Sequence, residues 1–558
     1  MNVEISRTTD VLNTAETTKT NVVSNMASNI ADKFVTTIRL LEGERWWGGT
    51  VIDGIYEPFG KQVFTRDLSE WTQKLREVPE ASNQSSPLLI STCGRYVWCK
   101  EPFKFTFADR TLSIEHSSSL TFTKVGDKLS DAYKYACNKY FPPSGRSIPA
   151  DLIDKPQYNT WIEMPYAPTQ NKVENYARQI LELGMPSGII MIDDKWSPDY
   201  GDWTFDISRF PKPRKMIDSL HEQGFRVMLW LVPFISPDSE NFRYLEKENL
   251  LLRSVNGETA IRRWWNGLSA VLDLSHPKAI SWLEEKLDAL RQIGVDGFKF
   301  DGGDFYECHN DDISYESMTS AEFCERWAKF GLRYSYNEFR ACWKMGGQPL
   351  AQRLRDKPQS WGVEGLQSLI PEIIAQGLIG HAFTCPDMIG GGEIESMQNA
   401  NSIDQDFFIR YAQIAALCPM MQFSTLPHRV LDKEHMKALI CAIRTREAHL
   451  PTIQKFALNA ANTGEPIVRP MSYHYDHCED IIDQFLLGDR IIVAPALHKY
   501  QKQRSVYIPD GSWESDDKII FDGPTTIIVD TPLDRIPIFT KKCRVYFVYT
   551  IYFGIDGK

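Results

Sequence analysis

Positive charge is in short supply in this chain. Lysine and arginine total 62 against 73 aspartates and glutamates, a formal charge of −11. That balance excludes a dedicated nucleic-acid binder, which would carry a basic face. The 11 cysteines contain no Cys-x-x-Cys pair, so the usual ligand spacing of a structural zinc site is missing. Their odd number leaves at least one thiol unpaired within the chain and does not fix a redox compartment. The apolar runs Val227 to Ile235 and Val545 to Phe553 fall well short of the roughly 20 residues that cross a bilayer. The second is rich in Tyr and Phe and reads as a strand. The first thirty residues lack the basic start and apolar core of a signal peptide, so none is expected there. No glycine-rich phosphate turn follows an early strand. Gly390-Gly-Gly392 comes late and carries no lysine, which argues against a nucleotide-binding open sheet.

What the chain does have is aromatic surface and a change of rhythm. It holds 15 Trp and 22 Tyr in 558 residues, a length that suggests three or four domains. Some of those rings could line a site for a flat, polar ligand such as a sugar. Residues 1–32 are polar and expected to be disordered. From 33 to 155, short alternating segments separated by turns predict an N-terminal β-sandwich. They include Phe34 to Leu40, Thr50 to Tyr56, Leu88 to Thr92, Arg95 to Cys99, Phe103 to Phe107 and Leu112 to Glu115. The same rhythm returns over 456–558, which predicts a C-terminal β-sandwich region. Within the first of these, Asn83-Gln84-Ser85 is a glycosylation triplet of a kind common by chance.

Between them, residues 156–455 repeat another unit: a helix with one apolar face, a glycine stop, an apolar strand, then an acid. Helices are predicted over 171–183, 213–223, 277–293 and 365–376, stopped by Gly184, Gly224, Gly294 and Gly377, with Pro277 opening the third. Alternating helix and buried strand implies parallel βαβ units. Four copies over about 220 residues predict a (β/α)8 TIM barrel between the two β-rich regions. In such a barrel the chemistry sits at the C-terminal ends of the strands, a rule that selects Asp193, Asp194, Asp301 and Asp387.

The strongest local pattern is Phe298-Lys-Phe-Asp301-Gly-Gly-Asp304. Alternate residues of a strand share a face, so Lys299 and Asp301 point into the lumen while Phe298 and Phe300 face the helices. A lysine beside an aspartate favours its ionised form, the state a carboxylate nucleophile requires. Gly302 and Gly303 would let a substrate approach closely. The competing reading is a structural ion pair inside the barrel. No His, Ser or Cys forms an obvious constellation with Asp301, so two carboxyl groups, one ionised and one protonated, are the simplest chemistry available.

Residues from about 155 to 435 resemble glycoside hydrolase family 31. Phe298-Lys-Phe-Asp301 resembles the family's strand ending in a nucleophilic Asp. Trp265-Asn-Gly267 and Asp273-Leu-Ser-His-Pro277 resemble its Trp-x-Gly and Asp-Phe-x-x-Pro stretches. Arg353-Leu-Arg-Asp356, five residues before Trp361, resembles its acid/base segment. Cys385-Pro-Asp387-Met-Ile-Gly390 and Asp406-Phe-Phe-Ile-Arg410-Tyr411 resemble two later motifs. The phrases Trp264-Trp-Asn-Gly267, Pro386-Asp-Met-Ile-Gly-Gly391 and Met421-Gln-Phe-Ser424 are similar to an animal group, the myogenesis-regulating glycosidases, associated with α-galactosidase activity.

The resemblance implies Asp301 as nucleophile and Asp356 as acid/base. It implies Asp194, Trp230, Trp265, Asn266, Asp387 and Arg410 in the sugar pocket, and Asp193, Lys299 and Arg353 join them by position. It implies a retaining exo-α-glycosidase acting on a terminal α-galactoside, with no metal or organic cofactor and a carbohydrate as its partner. An α-glucoside, α-N-acetylgalactosaminide or sulfoquinovoside on the same machinery, or a silent sugar-binding homologue, are the alternatives. The segment departs from the family's α-glucosidases around Asp356, where Arg355-Asp-Lys357 replaces Gly-Asp-Asn, which makes Glu364 a rival proton donor. Of the adjacent Trp264 and Trp265, one is expected in the core and the other as a platform.

Overall fold

Short apolar strands alternating with helices close into a barrel. The computed structural model describes residues 15–20, 33–69, 84–397 and 403–542. The barrel strands are β1 (Gln157–Asn159), β2 (Ile189–Ile192), β3 (Arg226–Leu231), β4 (Gly297–Phe300), β5 (Tyr336–Phe339), β6 (Gln352–Arg353), β7 (Thr384–Cys385) and β8 (Gln422–Phe423). They run parallel in chain order, and β8 returns to pair with β1. The seam between β7 and β8 is drawn together by the Met420 N–H donating to Thr384 O at 3.2 Å and by a parallel bridge from Ile389 to Phe423.

Three of the predicted helices end where their glycines direct. Gln170–Glu182, Pro213–Glu222 and Pro277–Gln292 are each followed by a left-handed glycine, Gly184, Gly224 and Gly294. A glycine there has no Cβ penalty, and its N–H donates to a carbonyl of the last turn. The fourth helix differs from expectation. It spans Leu369–Leu378, Gly377 lies inside it, and Gly380 at φ 103° is the left-handed stop. Gly377 instead packs closely, since a Cβ there would come within 3.0 Å of Pro466 Cβ.

The barrel also departs from eight complete βα units. Among the described residues, no helix lies between β5 and β6. The link instead sends Cys342–Trp343 outward to pair in parallel with the strand Gln84–Ser91 of the N-terminal domain. Trp343 and Ala341 are buried in that domain's core with Trp46, Leu89, Phe105 and Phe107.

The N-terminal domain has two facing sheets, as its alternation predicts. One contains Lys33–Arg39, Thr111–His116, Lys104–Ala108 and Phe64–Asp67; the other is built on Gln84–Ser91, Arg95–Cys99 and Leu120–Lys124. Val51–Tyr56, expected as part of a strand, is a 3-10 turn following the strand Trp46–Thr50. Ala15–Thr20, expected to be disordered, pairs antiparallel with Lys33–Arg39. The rest of the polar lead lies outside the described residues.

The helix Lys433–Thr463 runs through the boundary expected at 455/456 and ends at the left-handed Gly464. Beyond it, six antiparallel strands form one sheet among the described residues, with the long hairpin Gln503–Ser515 and Ile520–Asp530 at its edge. The expected strand Val545 to Phe553 lies outside the described residues. The ten described cysteines are all free thiols. No helix among the described residues is long and apolar enough to cross a membrane.

Candidate active site

The register of the central strands sets Trp230 on β3, Lys299 on β4 and Glu338 on β5 side by side. Register partners in a parallel sheet share a face, and all three point inward. Phe298 and Phe300 point the other way, Phe298 against Tyr334 and Phe300 stacked on Phe339 at 5.1 Å. Asp301 continues β4, its N–H donating to Leu231 O at 2.9 Å.

Asp301 is surrounded by positive charge and donors. Arg340 Nε lies 2.8 Å from Oδ1, the Gly302 N–H donates to Oδ1 at 2.9 Å, Trp230 Nε1 donates to Oδ2 at 2.7 Å, and Lys299 Nζ lies 3.6 Å from Oδ2. Burial alone would raise this carboxyl. Lys299, Arg340 and the indole outweigh it and hold the group well below the usual carboxylate range. Lys299 also pairs with Asp193 at 2.8 Å, so the lysine is shared between two strand ends. Gly302 and Gly303 have a backbone reason of their own. Both have left-handed backbones, and a Cβ on Gly303 would meet Trp327 Cδ1 at 2.2 Å. They form the turn that leaves β4 and let Trp327 pack beneath it.

Asp194 begins a second group. Asn266 Nδ2 donates to its Oδ2 at 2.6 Å and Tyr200 OH at 3.2 Å, while its buried Oδ1 has no hydrogen-bond partner within the protein. Burial, then the neighbouring Asp193, pushes this carboxyl up to about 6. Asn266 and Trp265 form the two-residue tip of the hairpin Ile261–Trp264 and Gly267–Val271, inserted after β3. Trp264 is buried and stacked on Phe234, as one of the adjacent pair should be. Trp265 is partly exposed and carries Arg340 over its ring at 4.8 Å.

The third group is organised by Arg353 of β6. Its Nη1 donates to Asp356 Oδ1 at 2.8 Å and Asp387 Oδ1 at 2.6 Å, and its Nε to Glu338 Oε1 at 3.2 Å. The two aspartates differ in access: the Asp387 side chain is 0% exposed and that of Asp356 is 41% exposed. Asp387 Oδ2 also accepts the backbone N–H groups of Lys357 and Gly392, each at 2.7 Å. Both its oxygens are therefore used to fasten the loop that carries Asp356. Burial, with Asp356 adding to it, raises the Asp387 carboxyl against the pull of Arg353. Tyr166 relates the second and third groups. Its hydroxyl is pushed up to about 12 by burial and then by Asp194, Asp193 and Asp356.

Two residues selected from sequence stand elsewhere. Glu364 is exposed and accepts from the Ser360 hydroxyl, which lowers its carboxyl, the wrong direction for a proton donor. Arg410 is not brought to the cluster. Its guanidinium donates to Pro532 O at 3.2 Å, Thr531 O at 2.5 Å and Gln413 Oε1 at 2.9 Å, fastening the C-terminal sheet to the barrel. Arg410→Ala should therefore lower the melting temperature, at a cost of about 3 kcal/mol for the lost charged hydrogen bonds, and leave substrate KM unchanged. A raised KM with an unchanged melting temperature would return Arg410 to the pocket.

Arg340, Glu338, Tyr200 and Tyr166 were not selected from sequence. Arg340 directly follows β5 and obeys the strand-end rule, but Tyr336-Asn-Glu-Phe339 lacks an apolar run and no helix follows to mark it as a barrel strand.

A parallel barrel with paired carboxylates at its strand ends defines a class, and sequence comparison agrees with it. The model of the glycosyl hydrolases family 31 TIM-barrel domain matches residues 155–322, and that of the family's C-terminal domain matches residues 464–545. The chain belongs to glycosyl hydrolase family 31. It is similar to the myogenesis-regulating glycosidase of Mus musculus, 34% identical over 435 residues, covering 75% of this chain and 60% of that protein. It is also similar to alpha-glucosidase 2 of Bacillus thermoamyloliquefaciens, 24% identical over 67% of this chain and 51% of that one. The chain thus spans between half and two thirds of these relatives' length. Its fold matches the family 31 dextranase of Flavobacterium johnsoniae, solved with glucose, at a TM-score of 0.79 and 19% identity, over 93% of this chain and 67% of that one.

Proposed function

We propose that this chain is a retaining exo-acting α-glycosidase that releases a terminal α-linked galactose, with Asp301 as nucleophile and Asp356 as acid/base. The observation that carries this reading is Asp301: a buried carboxylate at a barrel strand end, held ionised by Lys299, Arg340 and Trp230. Asp301 attacks the anomeric carbon while Asp356 gives its proton to the departing oxygen, so the glycosidic bond breaks as the carboxylate–sugar bond forms. Asp356, now a base, takes a proton from water. The resulting hydroxide attacks the same carbon, and Asp301 leaves. Two inversions give net retention, and water is the only co-reactant. The partial exposure of Asp356 supports its part, because an acid/base must exchange protons with water between steps. Galactose as the sugar follows the phrases shared with the animal group.

The test is a panel of nitrophenyl α-glycosides (galactoside, glucoside, xyloside, N-acetylgalactosaminide and sulfoquinovoside), run with Asp301→Asn beside the wild type. Release from the galactoside at the highest kcat/KM, lost in Asp301→Asn, is the expected result. Preference for another sugar would revise the substrate alone. Wild type and variant equally inactive, yet still binding sugar, would mean a binding protein built on the barrel.

In this reading Asp194, with Asn266 and Trp265, grips the sugar. The free Oδ1 of Asp194 accepts a sugar hydroxyl much more strongly as a carboxylate than as the neutral acid, and this carboxyl is raised to about 6. Its charge is lost as pH falls through that value. KM should therefore rise below pH 6, by up to about tenfold per unit, with little change in kcat. Asp194→Asn should have a high KM that no longer varies with pH. A wild-type KM that stays flat from pH 7 to 5 would remove Asp194 from the pocket.

A further inference from the structure

One side chain of the N-terminal domain reaches the backbone of two active-site arginines. Gln84, the middle residue of the glycosylation triplet, opens the strand Gln84–Ser91 and is 1% exposed. Its amide nitrogen donates to two carbonyls: Arg353 O at 2.8 Å and Arg340 O at 3.2 Å. Its amide oxygen accepts from the Gln376 side chain on the helix Leu369–Leu378, and its own carbonyl accepts the Thr50 hydroxyl at 3.1 Å. The side chain is thus held at both ends.

Those two carbonyls belong to the arginines that address the two carboxylates of the proposed reaction. Arg340 pairs with Asp301 and Arg353 with Asp356, each at 2.8 Å. Both arginines flank the β5–β6 link, where no helix stands to fix the spacing. The chain is held there by the pairing of Cys342–Trp343 with Gln84–Ser85 and by the Lys344 N–H donating to Ser85 O at 2.9 Å. A primary amide has two N–H vectors in one plane at a fixed angle. When both are used, the separation of the two acceptors is fixed as well.

We propose that Gln84 is a positioning residue, supplied to the barrel by the N-terminal domain, whose amide sets the spacing of Arg340 and Arg353 and through them of Asp301 and Asp356. The effect on turnover rests on the catalytic reading above; the effect on geometry does not. A carboxylate pair displaced by a fraction of an ångström loses attack geometry while sugar contacts at Asp194 and Trp265 persist, so kcat should suffer more than KM.

The experiment uses full-length Gln84→Met, which keeps the length of the side chain and removes its donors, with Ile38→Val in the sandwich core as the control for lost stability. A crystal structure of Gln84→Met should show Arg340–Asp301 or Arg353–Asp356 opened beyond about 4 Å, the limit of an ion pair. On the substrate found in the glycoside panel, kcat should fall about 10- to 100-fold with KM nearly constant. The acid limb of kcat should also move to higher pH as Asp301 loses Arg340. Ile38→Val should lower the melting temperature and move none of these. Both ion pairs intact in Gln84→Met, with wild-type kcat and pH profile, would overturn the proposal. If the wild type cleaves no glycoside, the catalytic reading fails, and the crystal structure still decides the positioning claim. Should Gln84→Met not fold, Gln376→Met, which releases the other end of the amide, should give smaller changes of the same kind, and unchanged ion pairs there would equally overturn it.

Discussion

Asp301→Ala should lose turnover by roughly 10^4-fold or more, the scale seen when a nucleophile is removed from an otherwise intact site. Added azide should restore part of it. The substitution opens a space the size of a small anion, lined by the Trp230 indole N–H, Arg340 and Lys299, all of which now point at the missing carboxylate. Azide entering there attacks the anomeric carbon from the face Asp301 used. The product from an α-glycoside is therefore the β-glycosyl azide, and with only one inversion the reaction stops. Proton NMR of the product identifies the anomer. Activity of Asp301→Ala within tenfold of wild type, or an α-azide, would rule out Asp301 as the nucleophile. The same surroundings fix the pH behaviour. The Asp301 carboxyl lies below the usual range, so it stays ionised through the working range. Its stabilising charge is present above the ordinary carboxylate pKa and is lost only in strong acid.

The second large effect belongs to Asp356, and it depends on the leaving group. A dinitrophenolate departs without a proton, whereas a sugar alkoxide does not. Asp356→Ala should keep much of its bond-breaking rate on a dinitrophenyl glycoside and lose about 10^3-fold on a disaccharide, within the range of general acid catalysis. Glu364→Gln, on an exposed side chain bonded to Ser360, should match wild type on both substrates. If instead Glu364→Gln shows the leaving-group dependence, the proton donor has been misassigned.

Much of this arrangement could be read from the chain because it depends on neighbours in sequence. Glycine stops mark three helices, strand alternation sends Lys299 and Asp301 to one side, and adjacency splits Trp264 from Trp265. What could not be read depends on distant pairs. Arg340 takes its meaning from Asp301 and Asp304, with which it forms ion pairs, and β5 is a strand because Phe298 to Phe300 lie beside it. Asp387 sits at a strand end as the rule requires, yet its oxygens are taken by Arg353 and two backbone N–H groups. Position alone could not tell a ligand from a fastener. Arg410 matches a family motif, but the carbonyls that claim it lie more than a hundred residues away.

The outward strand Cys342–Trp343 bears on how such a protein can be recombined. A barrel expressed alone would expose Trp343 and Ala341, now buried among the sandwich aromatics, and would present an unpaired strand edge of the kind that seeds aggregation. The natural cut at the start of β1 is therefore not a clean one. In chimaeras between family members, the segments 84–91 and 340–353 form one unit of exchange and must come from the same parent, although some 250 residues separate them in the chain.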